Sequence, residues 1–205
     1  LDPDPAKRAA NRELCKRRLE LAERIGARCC VNIAGSLGDR WDGPYAADLA
    51  PEGMDRVVES VREIIDAVQP TRTYYSLETM PWMLPDSAES SLELIRAVDR
   101  KAFGIHFDPV NLINSPRRFF ESGAFVRDYV EKVGPHIHAV HLKDIVLEPK
   151  LTTHLQEVRP GLGKLDTRAV LRAVHELLDA DCPVMLEHLV SEAEYEAAAA
   201  YVRTE

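Results

Sequence analysis

The sequence contains no Cys-x-x-Cys pair. Its four cysteines are Cys15, Cys29, Cys30 and Cys182, a spacing that gives no footing to a zinc–thiolate site. Cys29 and Cys30 are adjacent and would point to opposite faces of a strand. Free thiols in a reducing cytoplasm are the expectation. No apolar run approaches the roughly 18 residues that a membrane span needs, and no signal peptide is visible. A surplus of basic residues is also missing. Lys and Arg number 26 against 34 Asp and Glu, a net charge of −8. That balance argues against a nucleic-acid surface, which needs a basic stripe. No phosphate-binding glycine fingerprint is present, so a phosphorylated substrate is not indicated. No short-period repeat is present either.

What the sequence does have is a regular alternation. The 205 residues fit one domain, 1–205. Asp4-Pro5 reads as an N-cap followed by a first-turn proline. A helix should follow, with Ala10, Leu14, Leu21 and Ile25 as its apolar positions and Gly26 as its stop. A buried strand is predicted over 29–34. Pro51 opens a second helix, which Pro70 closes. Strands over 74–79, 103–108, 137–142 and 184–188 then alternate with helices. One helix covers 89–98. A second runs unbroken from the Ser115-Pro116 cap to Gly134. Asp166 caps a third, and Ser191 with Glu194 forms the capping box of the last. The segment 148–165 reads as a long loop.

Short apolar strands alternating with amphipathic helices specify parallel βα units buried on both faces. Five strands alone are compatible with an open doubly wound sheet. A closed (β/α)8 barrel needs eight strands and typically about 250 residues. A whole barrel would therefore carry about three more βα units before Leu1.

Position is the informative feature. Four strands end in a residue able to bind a metal: Glu78, Asp108, His141 and Glu187. The intervals are thirty, thirty-three and forty-six residues, each about one βα unit. Parallel units present their strand C-termini on one face, where barrel active sites sit. Any one of these residues has an ordinary explanation, as a solvated carboxylate, a helix cap or a hydrogen-bonded core histidine. Four in register are harder to explain that way, because crowded carboxylates away from water need a cation. Two Glu, one Asp and one His make a hard donor set. It suits Mn2+ first, with Mg2+ or Co2+ as alternatives, ahead of Zn2+.

Five stretches carry a family likeness. They are Leu77-Glu78-Thr79-Met80-Pro81-Trp82, His106-Phe107-Asp108-Pro109-Val110-Asn111, His141-Leu142-Lys143-Asp144, Arg159-Pro160-Gly161-Leu162-Gly163 and Leu186-Glu187-His188. In order and spacing the chain resembles the sugar isomerases and epimerases of the xylose-isomerase-like TIM barrels, ketose 3-epimerases in particular. The resemblance implies that the strands carrying the four ligands are barrel strands five to eight. It implies that Glu78, Asp108, His141 and Glu187 are the metal ligands and that Glu78 and Glu187 are also the catalytic acid/base pair. A sugar or sugar derivative would be the substrate. Proton transfer through an enediolate would give isomerisation or epimerisation. Such barrels commonly form homo-oligomers. The chain departs from the epimerases in having Asn111 where they usually carry histidine, and a longer loop before Arg159.

His106, Asn111, Trp82, Lys143 and Arg159 are the candidate substrate contacts. Ordinary packing explains His106 and Trp82 about as well, and Arg159 and Lys164 have the alternative of being solvated loop cations. His188 should point away from the site. Three other readings stay open: a metal-dependent lyase or dehydratase working by the same proton abstraction or a C-glycoside-cleaving relative on the same site, a phosphodiesterase of the endonuclease-IV type, and a non-catalytic barrel subunit. The phosphodiesterase would need further His and Asp ligands and a basic face.

Overall fold

The computed structural model describes residues 1–205. It divides into two compact units, Leu1–His106 and Phe107–Glu205.

The first unit opens with helix α1 (Pro5–Ile25). Asp4 accepts a hydrogen bond from the Ala6 amide, and Gly26 ends the helix at φ 73°. That left-handed φ is the reason glycine stands there. Strand β1 (Cys29–Asn32) follows. Helix α2 (Pro51–Val68) buries Val57, Val61, Ile64 and Ile65. Strand β2 (Tyr74–Glu78) and helix α3 (Ala88–Val98) come next, α3 starting from a capping box between Ser87 and Ser90. Strand β3 (Phe103–Phe107) ends the series. β1 and β2 are parallel, Cys29 opposite Tyr74, and β2 and β3 are parallel, Glu78 opposite His106.

The face of α1 is not the expected one. Leu14, Leu21 and Ile25 are exposed, while Leu19 and Ala22 are buried. Leu19 and Ala22 lie three residues apart on a different stripe of the helix. The end of α1 is tied down instead by Glu23. Its carboxylate accepts from the Thr71 amide (3.1 Å) and hydroxyl (2.8 Å), and from the amides of Arg72 (3.1 Å) and Thr73 (2.9 Å). The Thr71 hydroxyl and these amides outweigh burial and hold Glu23 at a pKa of about 2. An unfolded Glu titrates near ~4.3. The stabilisation is therefore present above that value and is lost as pH falls through about 2. Carboxyl carbon NMR of Glu23 is expected to show this low midpoint; an ordinary one would remove the tie.

The second unit begins with the short helix α4 (Pro109–Leu112). The single helix expected to reach Gly134 is two: α5 (Pro116–Phe120) and α6 (Ser122–Val133), broken at Glu121 with φ −110° and ψ 28°. The break brings Ser122 and Gly123 against the start of α7 (Thr167–Leu177). The Ser122 hydroxyl accepts from the Asp166 amide at 3.1 Å. A Cβ on Gly123 would lie 2.6 Å from Asp166 Oδ2, so only glycine allows the approach.

Strand β4 (Ile137–Leu142) runs parallel to β7 (Val184–Leu186), with His141 opposite Met185. Tyr129 of α6 stacks on Phe107, ring centroids 4.2 Å apart. The chain ends with α8 (Glu192–Val202), whose cap Ser191 accepts from the Glu194 amide.

The expected loop over 148–165 contains strand β6 (His154–Val158), which pairs antiparallel with β5 (Asp144–Glu148) just before it. Ile145 and Leu147 alternate on β5 and share a face with Leu155 on β6, opposite Leu147, which is a strand pattern. The charged and prolyl residues between them masked it. None of the helices in either unit is long and apolar enough to cross a membrane.

Candidate metal centre

In the second unit, Asp108, His141 and Glu187 come together. Each is placed by a strand end. Asp108 follows β3 and caps α4. Its Oδ1 accepts from the amides of Val110 (2.9 Å) and Asn111 (3.1 Å). That fixes the carboxylate, and Oδ2 turns toward His141 and Lys143. His141 Nδ1 is 3.8 Å from Asp108 Oδ2 and 3.0 Å from Glu187 Oε1. Glu187 lies just past the end of β7, two residues beyond Met185, the register partner of His141. Asp108 is fully buried, and His141 and Glu187 keep only a small exposure.

These donors fit a divalent cation. Their ligand atoms all lie within 4.8 Å of one another. Octahedral metal–ligand bonds of about 2.1 Å place adjacent donors about 3 Å apart, close to the His141–Glu187 separation. Two carboxylate oxygens and one imidazole are a hard set with a borderline nitrogen, the combination that Mn2+ and Mg2+ accept.

A cation already stands among these oxygens. The Lys143 Nζ is 2.7 Å from Asp108 Oδ2, 2.9 Å from Glu187 Oε1 and 3.0 Å from Glu157 Oε2. It also donates to Asn111 Oδ1 at 3.2 Å. Lys143 follows His141 by two residues and so shares its face of the chain. Burial alone would lower its pKa, but Asp108 and then Glu187 outweigh it and hold the ammonium above its ordinary range. Burial likewise pushes Glu187 up. Hydrogen bonds from His141 and Lys143 overcome it and leave Glu187 far below the usual carboxylate range.

Glu157 sits on β6 and was absent from the expected site. Its sequence neighbourhood read as loop, so nothing marked it. His188 departs from expectation in the other direction. It does not point away: its Nδ1 is 2.9 Å from Glu157 Oε1 and its Nε2 is 3.5 Å from Glu187 Oε2. The cause is its backbone. His188 has φ 57°, which breaks strand alternation and swings the side chain back.

Arg159 is held by Glu194 at the start of α8, Nε to Oε2 at 2.9 Å. Its guanidinium is thus committed to a neighbouring helix. Asp144 organises the turn that follows. It accepts from the amides of Ile145 (2.8 Å), Gly161 (3.0 Å), Gly163 (2.9 Å) and Leu165 (2.8 Å).

In the first unit, Glu78 is the last residue of β2 and is paired in register with His106. The Glu78 carboxylate and the His106 ring lie within 4.8 Å. His106 is fully buried. Trp82, on the loop after β2, is partly buried, and its indole nitrogen has no hydrogen-bond partner.

The profile of the xylose isomerase-like TIM barrel matches residues 1–205. A 3-dehydroshikimate dehydratase of Bacillus anthracis is 28% identical over 133 residues, which is 65% of this chain and 42% of that protein. The chain thus spans less than half the length of that curated relative. A xylose isomerase-like TIM barrel protein from Mycobacterium smegmatis, solved in complex with magnesium, superposes with a TM-score of 0.72 at 19% identity. The match covers 98% of this chain and 68% of that one. D-psicose 3-epimerase from Clostridium cellulolyticum, solved with D-tagatose, gives a TM-score of 0.68 at 17% identity, covering 98% and 72%. At these identities the likeness fixes the fold, a TIM barrel.

Proposed function

From the premise that this chain belongs to the xylose isomerase-like TIM-barrel family, we propose that it serves a divalent-metal-dependent sugar isomerase or epimerase. The observation that carries the reading is the convergence of Asp108 Oδ2, His141 Nδ1 and Glu187 Oε1. Glu78 is the fourth ligand in this reading. It ends β2 as Glu187 follows β7, and its register partner His106 precedes Asp108 by two residues. Mn2+ is the first choice of metal, with Mg2+ or Co2+ next.

A bound cation supplies Lewis acidity to a substrate carbonyl and acidifies the adjacent C–H. The chain's own residues do the rest. Glu187 is ionised at neutral pH because His141 and Lys143 stabilise its anion, and it takes up a proton only once those contacts loosen, since the same stabilisation makes it a weak base. Glu78 is the complementary group that returns one. Lys143 pairs with the Asp108 and Glu187 carboxylates as long as no metal takes them. His106 and Asn111 offer hydrogen bonds to substrate hydroxyls, and Trp82 offers an apolar wall with one N–H donor. Arg159 contacts substrate only if Glu194 releases it.

A second reading, a dehydratase, is favoured by the 28% identity to the Bacillus anthracis 3-dehydroshikimate dehydratase. Both reactions start with the same proton abstraction beside a carbonyl. Incubating the Mn2+-loaded protein in D2O with a ketose panel, and separately with 3-dehydroshikimate, distinguishes them. Deuterium at a sugar carbon supports the isomerase or epimerase. Loss of water from 3-dehydroshikimate without sugar exchange moves the assignment to the dehydratase. Inertness toward both removes the proton-transfer reading.

A further inference from the structure

Resting on that metal-dependent reading, we propose that Glu157 is a positioning residue that draws the Lys143 ammonium away from the metal seat. The two oxygens nearest Lys143 Nζ are Asp108 Oδ2 and Glu187 Oε1, at 2.7 and 2.9 Å. These are the oxygens assigned to the metal. The ammonium and a divalent cation therefore compete for the same two atoms. Lys143 cannot escape to water, because its side chain is only 2% exposed. A buried ammonium stripped of counter-charge is costly. It needs another anion within reach.

Glu157 is that anion. Its Oε2 is 3.0 Å from Nζ. The other alternative acceptor, Asn111 Oδ1 at 3.2 Å, is neutral. Glu157 is also held in place. Its second oxygen, Oε1, is 2.9 Å from His188 Nδ1, and its backbone is pinned opposite Ile145 in the β5–β6 ladder. When a metal takes Asp108 and Glu187, a small shift of Nζ toward Glu157 keeps the lysine paired. The positive φ of His188 gains a purpose here: it places the ring where it can brace Glu157 from the far side.

Mn2+ titration of the full chain at fixed pH, read from the EPR signal of free ion, tests this. Four proteins are compared: wild type, Glu157→Gln, Lys143→Met and the double variant. Glu157→Gln is expected to weaken binding about tenfold, the low end for a residue behind a ligand. Lys143→Met removes the competitor and is expected to tighten binding above wild type. In the Lys143→Met background, Glu157→Gln should change affinity by less than about threefold, a coupling read from the cycle. Lys143→Gln replaces Lys143→Met if the latter fails to fold. Unchanged affinity in Glu157→Gln overturns the proposal. So does a weakening that persists without Lys143, which would make Glu157 a ligand or a scaffold residue. A wild type that binds no Mn2+ overturns the metal reading itself, and this proposal with it.

Discussion

Glu187→Gln is expected to lose stoichiometric metal and to reduce turnover by about 10²–10⁴-fold, the range of a lost general acid or base. The substitution keeps the side chain's size but removes its charge. Oε1 then no longer serves as an anionic donor beside His141 Nδ1 at 3.0 Å and Lys143 Nζ at 2.9 Å. Changing a residue behind a ligand typically costs about 10–100-fold in metal affinity, so removing a ligand's charge should cost at least that much. Elemental analysis of the purified variant and deuterium exchange into substrate read the two effects separately. Retention of one ion per chain with turnover within a few-fold of wild type would take Glu187 out of the centre.

Asp144→Ala is expected to destabilise the protein by about 3–5 kcal/mol, mostly from two buried amides. One carboxylate satisfies four backbone N–H groups, those of Ile145, Gly161, Gly163 and Leu165. Gly161 is exposed and Gly163 partly so, and water can replace the carboxylate there; Ile145 and Leu165 are buried. Each buried amide left without an acceptor costs about 1–3 kcal/mol, and hydrogen bonds to a charged group lie toward the upper end. Gly163 explains why this turn needs glycine. A Cβ there would stand 2.2 Å from Asp144 Oδ1. Urea denaturation measures the loss. A change below about 1 kcal/mol, the worth of one ordinary hydrogen bond, would show that the turn holds itself.

Much of this was legible in the sequence, for physical reasons. Strand ends were marked because polar residues broke apolar runs at Glu78, Asp108, His141 and Glu187. Helix starts were marked by Asp4, Ser115, Asp166 and Ser191, each of which accepts a backbone hydrogen bond as a cap. What stayed hidden depended on contacts distant in sequence. The break at Glu121 serves Ser122 and Gly123 against Asp166, more than forty residues on. Leu14, Leu21 and Ile25 look like a buried stripe, yet Leu19 and Ala22 are the residues that pack. His188 could not be oriented from strand alternation, because its φ of 57° leaves the strand geometry. Glu157 lay in a polar stretch and drew notice only once the β5–β6 hairpin set it beside Lys143.

The most direct measurement of the shared seat is pulsed EPR of Mn2+ bound to the protein. One ion per chain, with coupling to a single imidazole nitrogen that disappears in His141→Gln, is the predicted result. Bound ion without nitrogen coupling, or coupling that survives His141→Gln, would contradict a centre built on Asp108, His141 and Glu187.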